Sequence, residues 1–137
     1  MKRSLYLVFA LITLCTILIF GAVTVSAEES TTYYEGYYSF VMRVNPETQV
    51  SEVIITDCDN EITGNVTVPS HLGGQFPVVG IAAGAFSDCT YMTSVTIGSR
   101  VQVIGAYAFR GCTSLQKISI ADSVTSIGTG AFQDTAY

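Results

Sequence analysis

Apolar residues in the second half of the chain return at a fixed interval of 23. Ile81, Ile104 and Ile127 share this spacing, as do Ala85, Ala108 and Ala131, and Phe86, Phe109 and Phe132. Met92 pairs with Leu115, Val95 with Ile118, Ile97 with Ile120, Val101 with Val124, and Cys89 with Cys112, Thr135 taking the third place of the last column. So many columns at one interval define a repeat. Within each unit, Met92–Ile97 and Leu115–Ile120 alternate apolar and polar residues, the signature of a half-buried strand. A turn follows at Gly98-Ser99-Arg100 and at Ala121-Asp122-Ser123, then an apolar pair, Val101 with Ile104 and Val124 with Ile127. Gly105 and Gly128 are expected to supply a backbone conformation that a side chain would block. Ala-Phe then lies in a compact turn, expected as about one helical turn, with Phe pointing inward. One such unit cannot bury its apolar side. Stacked units can, with like residues over like and strands about 4.8 Å apart.

Ahead of Val78 the interval is disturbed. Four residues separate Ile97 from Val101, but ten separate Val68 from Val78, so six extra residues are looped out around His71-Leu72-Gly73-Gly74. Tyr37–Val44 and Ser51–Asp57 alternate as two strands, with Asn45-Pro46-Glu47 as the turn between them. Residues 33–77 are therefore read as an N-terminal β cap and an irregular first coil, and 78–137 as the regular repeats. Residues 28–32 are a polar, flexible lead-in.

The motif Val101-x-Val103-Ile104-Gly105-x-x-Ala108-Phe109-x-x-Cys112-x-x-Leu115-x-x-Ile118-x-Ile120, with its partners 23 residues to either side, resembles the BspA-like leucine-rich repeat of bacterial surface proteins. The resemblance covers Val78–Tyr137. It departs from the family where Gly98 and Ala121 replace a frequent Pro, and where Ala82 replaces the corner Gly. The likeness implies a leucine-rich-repeat solenoid, β-rich, with short helical or 3-10 turns on its convex side and an N-terminal β-strand cap. About two and a half coils are present, fewer than the three such arrays need. Truncation at the C-terminus, or self-association through the open last coil, is the expectation that follows.

Composition adds the compartment. Lys2 and Arg3 precede an apolar run from Leu5 to Ala22, and Thr24-Val25-Ser26-Ala27 supplies small residues at a cleavage site. Residues 1–27 read as a signal peptide cleaved after Ala27. An uncleaved signal anchor is the alternative, since about 18 apolar residues just span a bilayer. Cys15 follows Thr13-Leu14, which does not suit lipoprotein processing. Removing Lys2 and Arg3 leaves 4 basic and 11 acidic side chains, so the mature net charge is 4 − 11 = −7. This excludes a nucleic-acid partner, which demands a basic face, and electrostatic docking on anionic lipid. The membrane enters only through the signal segment, if it is retained.

Candidate chemistry is sparse. The single histidine, His71, has no second His and no nucleophile motif beside it. Asp57-Cys58-Asp59-Asn60-Glu61 alternates oxygen ligands as calcium sites do, but Ile62 and Val68 stand where an EF-hand loop needs Gly and Glu, so a polar turn is the plainer reading. Cys89 and Cys112 share a column that the likeness implies is a small buried side chain, so they are expected as buried free thiols; parallel Cβ vectors also suit a disulfide poorly. Cys58 is expected as an exposed thiol, and no zinc ligand set accompanies the three. Asn65-Val66-Thr67 is a glycosylation sequon. The tract Tyr33–Phe40 offers an aromatic patch for carbohydrate or protein, or simply strand packing. The outward strand positions Ser94, Thr96, Lys117 and Ser119 form the candidate binding face, with a merely solvated face as the plain alternative.

The expectation is a non-enzymatic, secreted or cell-surface protein without a cofactor. It would bind a protein or glycan ligand in adhesion. The alternatives are the leading module of a longer exported cell-wall or glycan-active enzyme, and a structural spacer.

Overall fold

The computed structural model describes residues 31–137, so the signal-peptide reading of 1–27 and most of the 28–32 lead-in lie outside the described residues. Ten strands are formed: β1 (Thr32–Glu35), β2 (Tyr38–Val44), β3 (Ser51–Cys58), β4 (Gly64–Thr67), β5 (His71–Leu72), β6 (Phe76–Ile81), β7 (Met92–Thr96), β8 (Val103–Ile104), β9 (Lys117–Ser119) and β10 (Ser126–Ile127). They make two sheets. One runs β1-β2-β3-β6-β8-β10, with β5 beside β6; the other runs β4-β7-β9. Each 23-residue unit contributes one short strand to each sheet, so the chain winds as a β-solenoid.

The register reproduces the sequence columns. Ile81 lies opposite Ile104, and Ile104 opposite Ile127. Val66, Val95 and Ile118 are aligned in the other sheet. Between the sheets Phe86 stacks on Phe109 at 4.9 Å between centroids, and Phe109 on Phe132 at 5.4 Å. Tyr38 meets the other face of Phe86 edge-on at 6.1 Å, so the aromatic column begins outside the regular repeats.

The corners differ from the sequence expectation. Among the described residues the Ala-Phe segments are successive turns with no helical turn. Two residues in each corner have positive φ: Gly84, Tyr107 and Gly130 in one column, Asp88, Gly111 and Asp134 in the other. Left-handed residues four apart interrupt any right-handed helical run. The role of Gly105 and Gly128 is also corrected, because neither has a positive φ. A Cβ on Gly105 would stand 2.4 Å from Ala83 N, and one on Gly128 2.4 Å from Ala106 N. These glycines let one coil's backbone rest on the next. Ala82 holds the same column against β3, where the Ile55 carbonyl accepts its amide at 2.8 Å as the Ile81 carbonyl accepts that of Gly105.

At the front, β1–β3 form an antiparallel meander, and β3 joins β6 in parallel. Gly36, with φ of 61°, and Tyr37 make the two-residue β1–β2 turn, in the manner of a II′ hairpin with Gly first. Thr32, assigned above to the lead-in, starts β1. The six-residue excess is itself a small hairpin. His71 pairs with Pro77 and Leu72 with Phe76, and Gly73 and Gly74 turn the chain at φ of 62° and 96°. The Glu35 carboxylate accepts the Gly73 amide at 2.7 Å and ties this hairpin to β1. Between β2 and β3, Asn45 Oδ1 accepts the amides of Glu47 and Thr48. Its Nδ2 donates to the buried Glu52 carboxylate, which Arg43 also holds.

Candidate functional site

The four sequence-predicted face residues come together on the outer surface of β4-β7-β9. The register places Ser94 beside Lys117 and Thr96 beside Ser119. It also adds Asn65 beside Ser94 and Thr67 beside Thr96. The face therefore has two rows across three strands, Asn65–Ser94–Lys117 and Thr67–Thr96–Ser119. All but Ser94 are exposed. Ser94, on the central strand, is half-buried, and its hydroxyl donates to Asn65 Oδ1 at 2.7 Å. The residues between the rows, Val66, Val95 and Ile118, point into the core, as strand alternation requires.

Asn65 and Thr67 were missed as face residues because their spacing to β7 is 29, not 23. The difference is the six residues added by the hairpin that His71 and Pro77 close. Subtracting that insertion would have aligned them from sequence alone.

The aromatic tract divides. Tyr33 stacks on Phe40 at 5.7 Å, and Tyr38 packs on Phe86 while its hydroxyl donates to the Thr67 carbonyl at 2.9 Å. Burial first, and nearby Cys58 second, push the Tyr38 phenol up to about 12. Tyr34 and Tyr37 remain exposed, the latter at 57%. A cleft of about 200 Å³ lies between the β1–β2 turn and β4, walled by Tyr37 and Tyr38 and by Thr63, Asn65 and Thr67.

The other candidates occupy separate places. His71 is exposed on β5, its ring Nδ1 3.0 Å from Ser70 Oγ. Asp59 Oδ1 accepts the Glu61 amide, which makes the 57–61 segment a local turn. Among the described residues no group of three or more His, Cys, Asp or Glu gathers as metal ligands.

Cys58 is buried with Cys89 and Cys112, contrary to its expected exposure, because the end of β3 lies under the cysteine column. All three are free thiols. Cys112 donates to the Phe86 carbonyl of the preceding coil at 3.1 Å. The Cys89 thiol and burial raise the Cys112 pKa. At Cys89 the contact with Cys112 acts downward, but the contact with Cys58, burial, and the charges of Cys58 and Asp57 prevail and push it up to about 12. Such thiols are poor nucleophiles.

The family model described as a BspA type leucine rich repeat region of six copies matches residues 78–137. Those residues are BspA-type leucine-rich repeats. They hold between two and three of the 23-residue units. Similar solved structures are leucine-rich repeat proteins of bacteria. A Treponema pallidum leucine-rich repeat protein is 34% identical with a TM-score of 0.60, over 69% of this chain and 42% of its own. One from Bacteroides capillosus is 27% identical with a TM-score of 0.62, over 74% of this chain and 73% of its own. A leucine rich cell surface protein of Faecalibacterium prausnitzii is 30% identical with a TM-score of 0.62, over 80% of this chain and 29% of its own. The chain thus spans less than half the length of two of these relatives. Among curated proteins there is no significant match.

Proposed function

We propose that this leucine-rich repeat protein is a non-enzymatic surface protein that engages a protein or glycan ligand on the outer face of β4-β7-β9. The observation that carries the reading is the two-row array Asn65–Ser94–Lys117 and Thr67–Thr96–Ser119, polar side chains presented at strand spacing on a rigid sheet. Solenoids present extended surfaces of this kind to ligands. The F. prausnitzii relative, named a cell surface protein, supports the location. Hydroxyls, one amide and a single ammonium suit a ligand rich in hydrogen-bonding groups.

The test is adhesion of the purified chain to immobilised mucin, extracellular-matrix protein and a glycan array. Thr96→Arg puts bulk and charge at the centre of the face and is expected to abolish binding. Gln102→Arg, exposed and outside that sheet, is expected to leave it intact. Equal loss in both variants, or no binding to any surface, would overturn the reading in favour of a structural spacer.

A further inference from the structure

The cleft beside β4 carries a more specific reading, which rests on the proposed surface-binding function and narrows its ligand. Ile62 and Val66 lie beneath the cleft but are nearly fully buried, so the surface it offers is mainly polar. Its walls are the exposed Tyr37 and the hydroxyl and amide groups of Thr63, Asn65 and Thr67. A mainly polar hollow beside one exposed aromatic side chain suits a hydroxyl-rich ligand better than an apolar one. Three features decide what kind of ligand fits.

The first is size. About 200 Å³ accommodates one sugar ring and is below the usual range for larger organic ligands. The second is polarity. A pyranose ring has an apolar C–H face bordered by hydroxyls. Tyr37 offers an aromatic surface for the former. Asn65 offers an amide for the latter: its Oδ1 accepts the Ser94 hydroxyl, and its NH₂ is the group left to donate. The third is charge. Exposed Asp59 and Glu61 lie just ahead in the chain, in a molecule of net charge −5. Their field disfavours uronic or sialic acids and leaves neutral sugars.

An extended peptide fits less well. β4 is the edge strand of its sheet, so an added strand would have to pair there. Tyr38 crosses that edge with its hydroxyl on the Thr67 carbonyl, and the Tyr37 carbonyl is held by the Asp59 amide. The edge is thus partly covered by the chain's own β1–β2 turn.

We propose that this cleft is a subsite for one neutral pyranose unit of a glycan. Tyr37 stacks on the ring and Asn65 donates to its hydroxyls. Asn65 is also the first member of the row that continues through Ser94 to Lys117. Further units of the glycan would follow that row, crossing strands spaced about 4.8 Å apart.

The test is NMR titration of the ¹⁵N-labelled chain with cellotetraose, chitotetraose and mannotetraose. At least one of these neutral probes is expected to shift the amides of Tyr37, Thr63, Asn65 and Thr67 in a saturable way. Tyr37→Ala is expected to weaken that binding about tenfold, the scale of one lost aromatic contact. Asn65→Asp, which removes the NH₂ donors and keeps the shape, is expected to weaken it several-fold. Unchanged resonances of Phe109 and its coil verify folding in both variants. No saturable shift with any probe, or binding indifferent to both substitutions, overturns the subsite. A chain that adheres to a matrix protein through the Thr96 face and ignores all three sugars loses only the subsite. One that binds neither loses the broader reading as well.

Discussion

Ile104 and Ile127 occupy the same column of the same repeat, paired directly across β8 and β10. Ile104 is 0% exposed and Ile127 is 49% exposed. The same contrast holds for Ile97 and Ile120, at 3% and 41%. It holds for Phe109, fully buried, and Phe132, partly buried against the core. The residue type is fixed by the column, but the burial is fixed by whether another coil lies on top. In a solenoid the stabilising contacts belong largely to the interfaces between coils. Sequence identity between two repeats therefore does not mean equal energetic weight.

The aromatic column gives the strongest way to break this contrast. Phe109 is stacked on both faces, by Phe86 and by Phe132, and Phe132 on one. Phe109→Ala is expected to cost about 3–5 kcal/mol in urea unfolding, the range for a buried aromatic. Phe132→Ala is expected to cost less than half as much. Equal costs would mean that coil stacking does not govern stability here.

The corner column gives a second contrast of the same kind. Gly105 lies with backbone atoms of Ala82 and Ala83 where its Cβ would go. The obstruction is main chain, which cannot rotate aside. Gly105→Ala is expected to cost about 3 kcal/mol, at the upper end of overpacking. Ala82→Gly, one coil earlier, is expected to cost about 1 kcal/mol or less, the entropic effect of glycine alone. Thermal melts of the two variants compare them directly. If Gly105→Ala proves mild, the coils are not held as close as the Ala83 contact implies.

These columns also show what the sequence could reveal. Wherever the 23-residue interval holds, residue type and inward or outward direction were legible, because identical neighbours stack in register. Two strands of the meander, β2 and β3, were legible from alternation and the turn at Asn45-Pro46 from its composition, whereas β1 was not. What escaped were features that depend on a non-repeating neighbour. Cys58 has no partner 23 residues away, so its burial under Cys89 was invisible until β3 was placed. Asn65 and Thr67 fell out of the face because an inserted hairpin changed their spacing. The left-handed corner residues Asp88 and Tyr107 are not glycines; the signals for their conformation were the glycines sharing their columns, Gly111 with Asp88 and Gly84 and Gly130 with Tyr107, and the tolerance of Asp for it. The four face residues did come to one surface, but the cleft beside them needed the fold of the β1–β2 turn.

The cysteine column offers the smallest and most local contrast. Cys89 and Cys112 lie between coils, whereas Thr135 holds the corresponding place in the last unit and bonds only its own turn, at the Phe132 carbonyl. The two thiols keep their protons in the folded chain to higher pH than thiols in the unfolded chain, which ionise from about 9. Between pH 9 and about 12 the unfolded state therefore binds fewer protons than the native state. Stability is fully present below pH 9 and falls as pH rises through that window. The expected loss is about 1 kcal/mol per thiol by pH 10, following the linkage slope of about 1.4 kcal/mol per pH unit. Urea unfolding at pH 8, 9 and 10 measures it, with Cys112→Ser as the comparison. That variant replaces the thiol by a group that does not ionise in this range, and its stability is expected to fall less steeply. A slope identical to that of the parent chain would show that the Cys112 thiol titrates alike in both states. The cysteine column would then not be closed to solvent by the coils around it.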